Sequence, residues 1–174
     1  AEAVSRSHVP RHYVAVAPYR IAQYPVSNAE WALFVQSGGY EDERWWRTAA
    51  ALEWRRGVGT ARGVRQSVRL WVEILRASPE LLDVYVAQGG WDEDTRQHWQ
   101  ARLDMSPDEF DAHLCAMWPE KRLSQPHHWR QEAYNRPAQP VVGVSWFEAR
   151  AYAAWLRAQS GVPYRLPTEV ELEA

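Results

Sequence analysis

Residues 139–174 read QPVVGVSWFEARAYAAWLRAQSGVPYRLPTEVELEA and carry the strongest local grammar in the chain. Val141, Val142 and Val144 form a short β-branched run between Pro140 and Ser145, the pattern of a buried strand. Ser145 and Glu148 then form a capping box, in which hydroxyl and carboxylate each satisfy a backbone N–H that a helix's first turn leaves unpaired. Ala149, Tyr152, Ala153 and Leu156 follow at helical spacing, so one face is expected to turn inward. Gly161 supplies a left-handed stop. Tyr164 and Leu166 flank Arg165 as a second short strand, and Thr168 with Glu171 opens another capping box. Only six residues follow Thr168, too few for a helix that holds alone in water. The expectation is an α+β core incomplete without a C-terminal segment, which would be its nearest partner.

Upstream, residues 19–40 read YRIAQYPVSNAEWALFVQSGGY. Residues 12–17 and 19–24 are expected as strands. Ser27 and Glu30 repeat the capping box, Trp31, Phe34 and Val35 supply the inward stripe, and Gly38-Gly39 ends the helix. The two stretches together, PVSN with its helix and PVVGVSWFEARAYAAWL with RLPTE-x-E, resemble the domain of formylglycine-generating enzymes (sulfatase-modifying factors). That resemblance covers the two ends of residues 1–174. It implies a fold related to C-type lectins and a pairing of the two capped helices. It also implies that calcium ligands and a copper-binding cysteine pair lie downstream of RLPTE. The family includes ergothioneine-type sulfoxide synthases, whose iron is held by histidines of another domain that this sequence does not match.

Between the two stretches the periodicity is helical. Trp45, Trp46 and Trp54 sit in a charged segment, and Gly57, Gly59 and Gly63 read as a flexible joint. They lack the Lys-Ser/Thr of a phosphate loop. Val64, Val68, Trp71, Val72 and Leu75 mark one amphipathic helix. Ser78-Pro79 starts a second that ends at Gly89-Gly90, residues 92–103 form a third, and Ser106-Pro107-Asp108-Glu109 opens a fourth that Pro119 halts. Residues 55–119 are thus expected as a helical insertion. Residues 125–139 return as a proline-rich, aromatic connection of the kind that carries binding residues.

Charge narrows the function classes. The net charge of −2 gives no general attraction to nucleic acid or to an anionic membrane. No apolar run approaches the roughly 20 residues of a membrane helix. No signal peptide is recognisable, so a cytoplasmic location is expected. All basic residues but Lys121 are arginine, a bias expected of a GC-rich genome. The eleven tryptophans are expected chiefly in packing roles.

His127, His128 and Glu132 are the only compact group of metal-ligand types, and adjacent histidines diverge on an extended backbone. They are expected in a solvated loop. Cys115, the single cysteine, is expected as a small buried apolar side chain, since it lies late in its helix, where the dipole does not favour a thiolate. Glu41, Asp42 and Glu43, like Asp92, Glu93 and Asp94, lack calcium-loop spacing and read as solvated helix starts. No catalytic, cofactor-binding or metal residue is therefore assigned within the chain. Two functions remain in view. One is a ligand-binding scaffold of the kind that diversity-generating retroelements vary. The other is part of a copper-dependent oxidoreductase that converts a sulfatase cysteine to formylglycine.

Overall fold

The computed structural model describes residues 15–173, and these separate into two compact units, 15–39 with 126–173 and 40–125. Among the described residues the regular elements are helical: α1 (Asn28–Gln36), α2 (Ala49–Arg55), α3 (Arg62–Ala77), α4 (Leu81–Ala87), α5 (Glu93–Leu103), α6 (Pro107–Met117), α7 (Trp146–Ser160) and α8 (Glu169–Glu173). None is long and apolar enough to cross a membrane.

The first unit is built on α1 and α7. Both begin at the expected serines, and both capping boxes are closed. At the far end of α1, Gly38 N–H donates to Val35 O and Gly39 N–H to Phe34 O, a Schellman stop. Gly39 has a second reason to be glycine: a Cβ there would lie 2.2 Å from the Phe34 ring. The two helices meet through aromatic rings. Trp31 stacks on Tyr152 at 4.7 Å, and Phe34 meets Tyr152 at 5.8 Å and Trp155 at 5.6 Å. The pairing of the capped helices is as expected. The face of α7 differs slightly: Glu148, Ala151, Tyr152 and Trp155 are buried, and Trp155 takes the inward place expected of Leu156. The indole N–H groups of Trp31 and Trp155 are buried without acceptors. Each such orphan costs about 1–3 kcal/mol, which the packing of four rings has to offset.

The expected strands do not form ladders among the described residues. Tyr13 and Val14 lie outside them. Segments 19–24, 141–144 and 163–166 belong to no strand, and the one isolated bridge among the described residues is antiparallel, between Ser27 and Pro140. Local chemistry explains this. Pro25, Pro140, Pro163 and Pro167 withhold the N–H donors a ladder needs. Gly143, at φ 70°, breaks the valine run.

The second unit is a helical assembly whose members cover one another: α5 packs against both α3 and α4. Val72, Phe110 and Leu114 form its buried centre, with Val68, Trp99, Leu103, Met105 and Trp118 around it. Ser106 and Glu109 close a capping box on α6, with Pro107 in its first turn as read from sequence. α4 starts at Leu81, two residues later than Pro79, because Leu81 and Leu82 N–H groups first donate to Ser78 and Pro79 carbonyls in a tighter turn. The glycine segment is a tied turn rather than a flexible joint. Thr60 Oγ1 donates to Gly57 O at 2.8 Å and accepts from Lys121 N–H at 3.1 Å, and Gly63 lies inside α3. Nearby, Tyr40, Trp46 and Trp54 are buried together, with Trp46 stacked on Trp54 at 5.7 Å. Arg55 is 8% exposed. Its guanidinium donates to Tyr40 O and Glu43 Oε1, both at 2.8 Å, and to Glu41 O.

Two substitutions separate capping from packing. Ser27→Ala and Ser145→Ala should each lower stability by about 1 kcal/mol. Phe34→Ala, which removes the ring shared by α1 and α7, should cost about 3–5 kcal/mol. Denaturant unfolding with unchanged slope is the measurement. Equal losses for Ser27→Ala and Phe34→Ala would contradict the assignment.

Candidate functional site

In the first unit α1, the approach to α7 and the connection from Pro126 are tied together by hydrogen bonds. Asn28, 5% exposed, occupies the first position of α1. Its side-chain amide donates to Tyr134 O at 2.7 Å and to Arg136 O at 2.9 Å. The backbone completes the seam: Asn28 N–H donates to Gln139 O, Ala29 N–H to Pro137 O and Val141 N–H to Val26 O. Two N–H groups that a helix start leaves orphaned are thereby satisfied by the incoming connection. Gln139 ties the connection to itself, its side chain accepting from Arg136 N–H at 3.0 Å and donating to Ala133 O at 3.2 Å.

This seam holds up a loop with imidazole and aromatic side chains. His127 N–H donates to Gly143 O at 3.0 Å. Gly143 must be glycine, since a Cβ there would sit 2.8 Å from His128 Cδ2 and its φ is positive. His128 Nδ1 lies 3.1 Å from Gln131 Oε1, within hydrogen-bond distance. The His128 ring is 4.8 Å from His127 and 5.3 Å from Tyr134. Further along, Trp146 is 57% exposed at the start of α7, with the Arg150 guanidinium 4.5 Å over its ring.

The RLPTE segment forms a second polar knot in the same unit. Arg165 grips Glu171 with both ends of its fork, at 2.7 and 2.6 Å. Thr168 donates to the same carboxylate from its N–H at 2.7 Å and its hydroxyl at 3.0 Å. Tyr19 O–H donates to Glu171 O and so fastens the N-terminal segment to α8. Four donations to one carboxyl, led by Arg165 and then Thr168, hold its pKa down at about 2. On the α1–α7 interface the opposite holds. Burial, with Glu30 and Tyr164 adding to it, raises Tyr152 to about 12, so it stays a neutral phenol.

The residues weighed from sequence fall as follows. His127 and His128 come together with Tyr134, while Glu132 is exposed on the loop. Among the described residues no three His, Cys, Asp or Glu groups gather as a metal site. Cys115 is exposed, not buried. The inward face of α6 is set by Phe110 and Leu114, and one residue past Leu114 points about 100° away. Asp42 and Asp92 are helix-start caps, accepting from Arg44 N–H and Thr95 N–H. One cysteine cannot provide two thiolates, so these residues do not fit a two-cysteine copper site. Asn28 and Arg55 are the structural anchors that sequence reading missed. PVSN contains the first, but nothing local says that its amide faces inward.

Glu171 predicts an acid dependence with a definite sign. Its folded pKa lies below the unfolded carboxylate value, so its contribution is present above about pH 4.5 and is lost as pH falls toward about 2. Glu30 and Glu109, held low by their capping serines, act in the same direction. Glu171→Gln should flatten the fall in melting temperature over that window. An unchanged acid slope would contradict the knot.

No solved structure is found to match this chain. Among curated proteins, hercynine oxygenase of Mycolicibacterium thermoresistibile is 30% identical over 165 residues, covering 94% of this chain and 23% of that protein. Hercynine oxygenase of Mycobacterium tuberculosis is 29% identical over 174 residues, 94% of this chain and 24% of that protein. A formylglycine-generating enzyme of Streptomyces coelicolor is 27% identical over 164 residues, again 94% of this chain and 37% of that protein. The chain therefore spans about a quarter of the hercynine oxygenases it matches. The model of the sulfatase-modifying factor enzyme 1-like domain matches residues 1–174, and the chain belongs to that family.

Proposed function

We propose that this chain is a framework portion of an oxidative enzyme of the sulfatase-modifying factor type, on the hercynine oxygenase side of the family. The supporting observation is the similarity to hercynine oxygenases at 28–30% identity over 94% of the chain, which runs through the helical unit as well as the capped-helix unit. The relatives reported are named as enzymes, which favours this reading over the ligand-display scaffold raised from sequence. In this reading the chain's own residues build rather than react. The Asn28 seam and the Arg165–Glu171 knot set the positions of α1, α7 and the loop bearing His127, His128 and Tyr134.

The fold expectation belongs to the same proposal. Ile21, Tyr24 and Leu172 are 60%, 74% and 65% exposed, and segments 19–24 and 163–166 lie without ladder partners among the described residues. The curated relatives are far longer than this chain. We take the exposed residues as the ground on which further strands of the same domain pair, completing a lectin-related α+β fold. Any calcium or copper of the domain then belongs to that further part.

Oxygen uptake tests the reading. The longer polypeptide that carries this chain should consume oxygen when given hercynine. The 174-residue chain alone should do so neither with hercynine nor with a sulfatase-derived cysteine peptide. Conversion of the peptide by the longer protein, with no response to hercynine, would move the assignment to the formylglycine-generating branch. No uptake with either would return it to a binding scaffold.

A further inference from the structure

In the second unit, four electron-rich rings of α3, α4, α5 and the turn between them form a continuous path, which meets the buried Val72–Phe110–Leu114 centre through Trp99. Trp99 stacks on Trp91 at 5.8 Å with planes 12° apart. Trp91 meets Tyr85 at 4.7 Å. Trp71 touches all three, at 6.0 Å from Tyr85 and 6.4 Å from Trp91 and from Trp99. Trp71 is 37% exposed and the other three are half-buried. The Arg102 guanidinium lies 4.9 Å over Trp99. Indole and phenol are the side chains most easily oxidised by one electron without a metal, apart from thiols, and the unit's one cysteine is not among these rings. Rings in van der Waals contact exchange an electron rapidly.

We propose that Trp99, Trp91, Trp71 and Tyr85 form a relay that carries an oxidising equivalent from indole to phenol, with Tyr85 as its end. Direction comes from charge. A cation stacked on an indole opposes removal of an electron from it, so Arg102 makes Trp99 the least favourable resting place for a hole. Among the described residues no such cation lies over Tyr85, and its phenol loses its proton on oxidation, which fixes the hole there. The balance is complete. An indolyl radical that has lost its N–H proton takes one electron from Tyr85 and one proton from water. Tyr85 gives up its O–H proton to water, leaving an intact indole and a phenoxyl radical. The purpose rests on the oxidative reading above: an enzyme handling oxygen chemistry gains from moving a stray oxidising equivalent off its indoles and onto a phenol. The existence of the relay does not rest on that reading.

Pulse radiolysis with azide radicals tests it on the intact chain. Azide radical removes one electron from an accessible indole and becomes azide ion. Indolyl absorbance should then decay into phenoxyl absorbance with a first-order rate that does not change with protein concentration. Tyr85→Phe, which keeps the ring and its packing, should lose that phase, and Trp91→Phe should slow it. Near-ultraviolet circular dichroism confirms that each variant is folded. A phenoxyl phase that persists in Tyr85→Phe, or one whose rate scales with protein concentration, would overturn the relay. Oxygen uptake by the longer protein decides the enzymatic reading separately, so the two failures are distinguishable.

Discussion

The seam made by Asn28 is the constraint on which the first unit depends. A helix start has orphan N–H groups and an extended connection has orphan carbonyls, and here each solves the other's problem. Asn28 and Ala29 N–H groups take the carbonyls of Gln139 and Pro137, while the Asn28 amide takes those of Tyr134 and Arg136. With one buried side chain contributing two bonds, the connection cannot slide along α1 without leaving several polar groups unpaired, at about 1–3 kcal/mol each. The start of α7 follows a few residues later, so the seam also places Tyr152 against Trp31. The loop bearing His127 and His128 lies on the same connection and is tied to Gly143 through the His127 N–H.

A second theme is the reuse of a carboxylate three residues after a hydroxyl. Ser27 with Glu30, Ser106 with Glu109, Ser145 with Glu148, and Thr168 with Glu171 all put a glutamate oxygen on the N–H of the capping residue. The device is local, cheap in sequence and indifferent to what the helix later packs against. Its environment decides how far it goes. At the exposed Ser106 it is a helix start and little more. At Thr168 the carboxylate also receives the Arg165 fork, and a five-residue helix is held that would not persist by itself.

This explains what could be read from the chain. Helix starts at Ser27, Ser106 and Ser145 were legible because donor, acceptor and spacing all lie within four residues. The Schellman stop at Gly38-Gly39 was legible for the same reason. Strands were not, because a strand is completed by a neighbour, and β-branched residues beside proline and glycine report only a tendency toward extension. Cys115 was misplaced because helical phase there is set by Phe110 and Leu114 meeting α3, a contact distant in sequence. The buried roles of Asn28 and Arg55 were hidden likewise: their partners are backbone carbonyls, which every residue offers and no composition reveals. The loop of the candidate site could be located by its prolines and aromatics, but the hydrogen bond of His127 N–H to Gly143 O depends on the fold.

Amide hydrogen exchange at the seam tests this account most directly. If Asn28 fastens the connection to α1, the N–H groups of Asn28, Ala29 and Val141 should open together with those of Trp31 and Tyr152, with one shared protection. In Asn28→Ala all five should lose protection together, by a factor corresponding to about 1–3 kcal/mol. Exchange of the Ala29 and Val141 amides that is fast and independent of the α1–α7 core, and unchanged by Asn28→Ala, would contradict it.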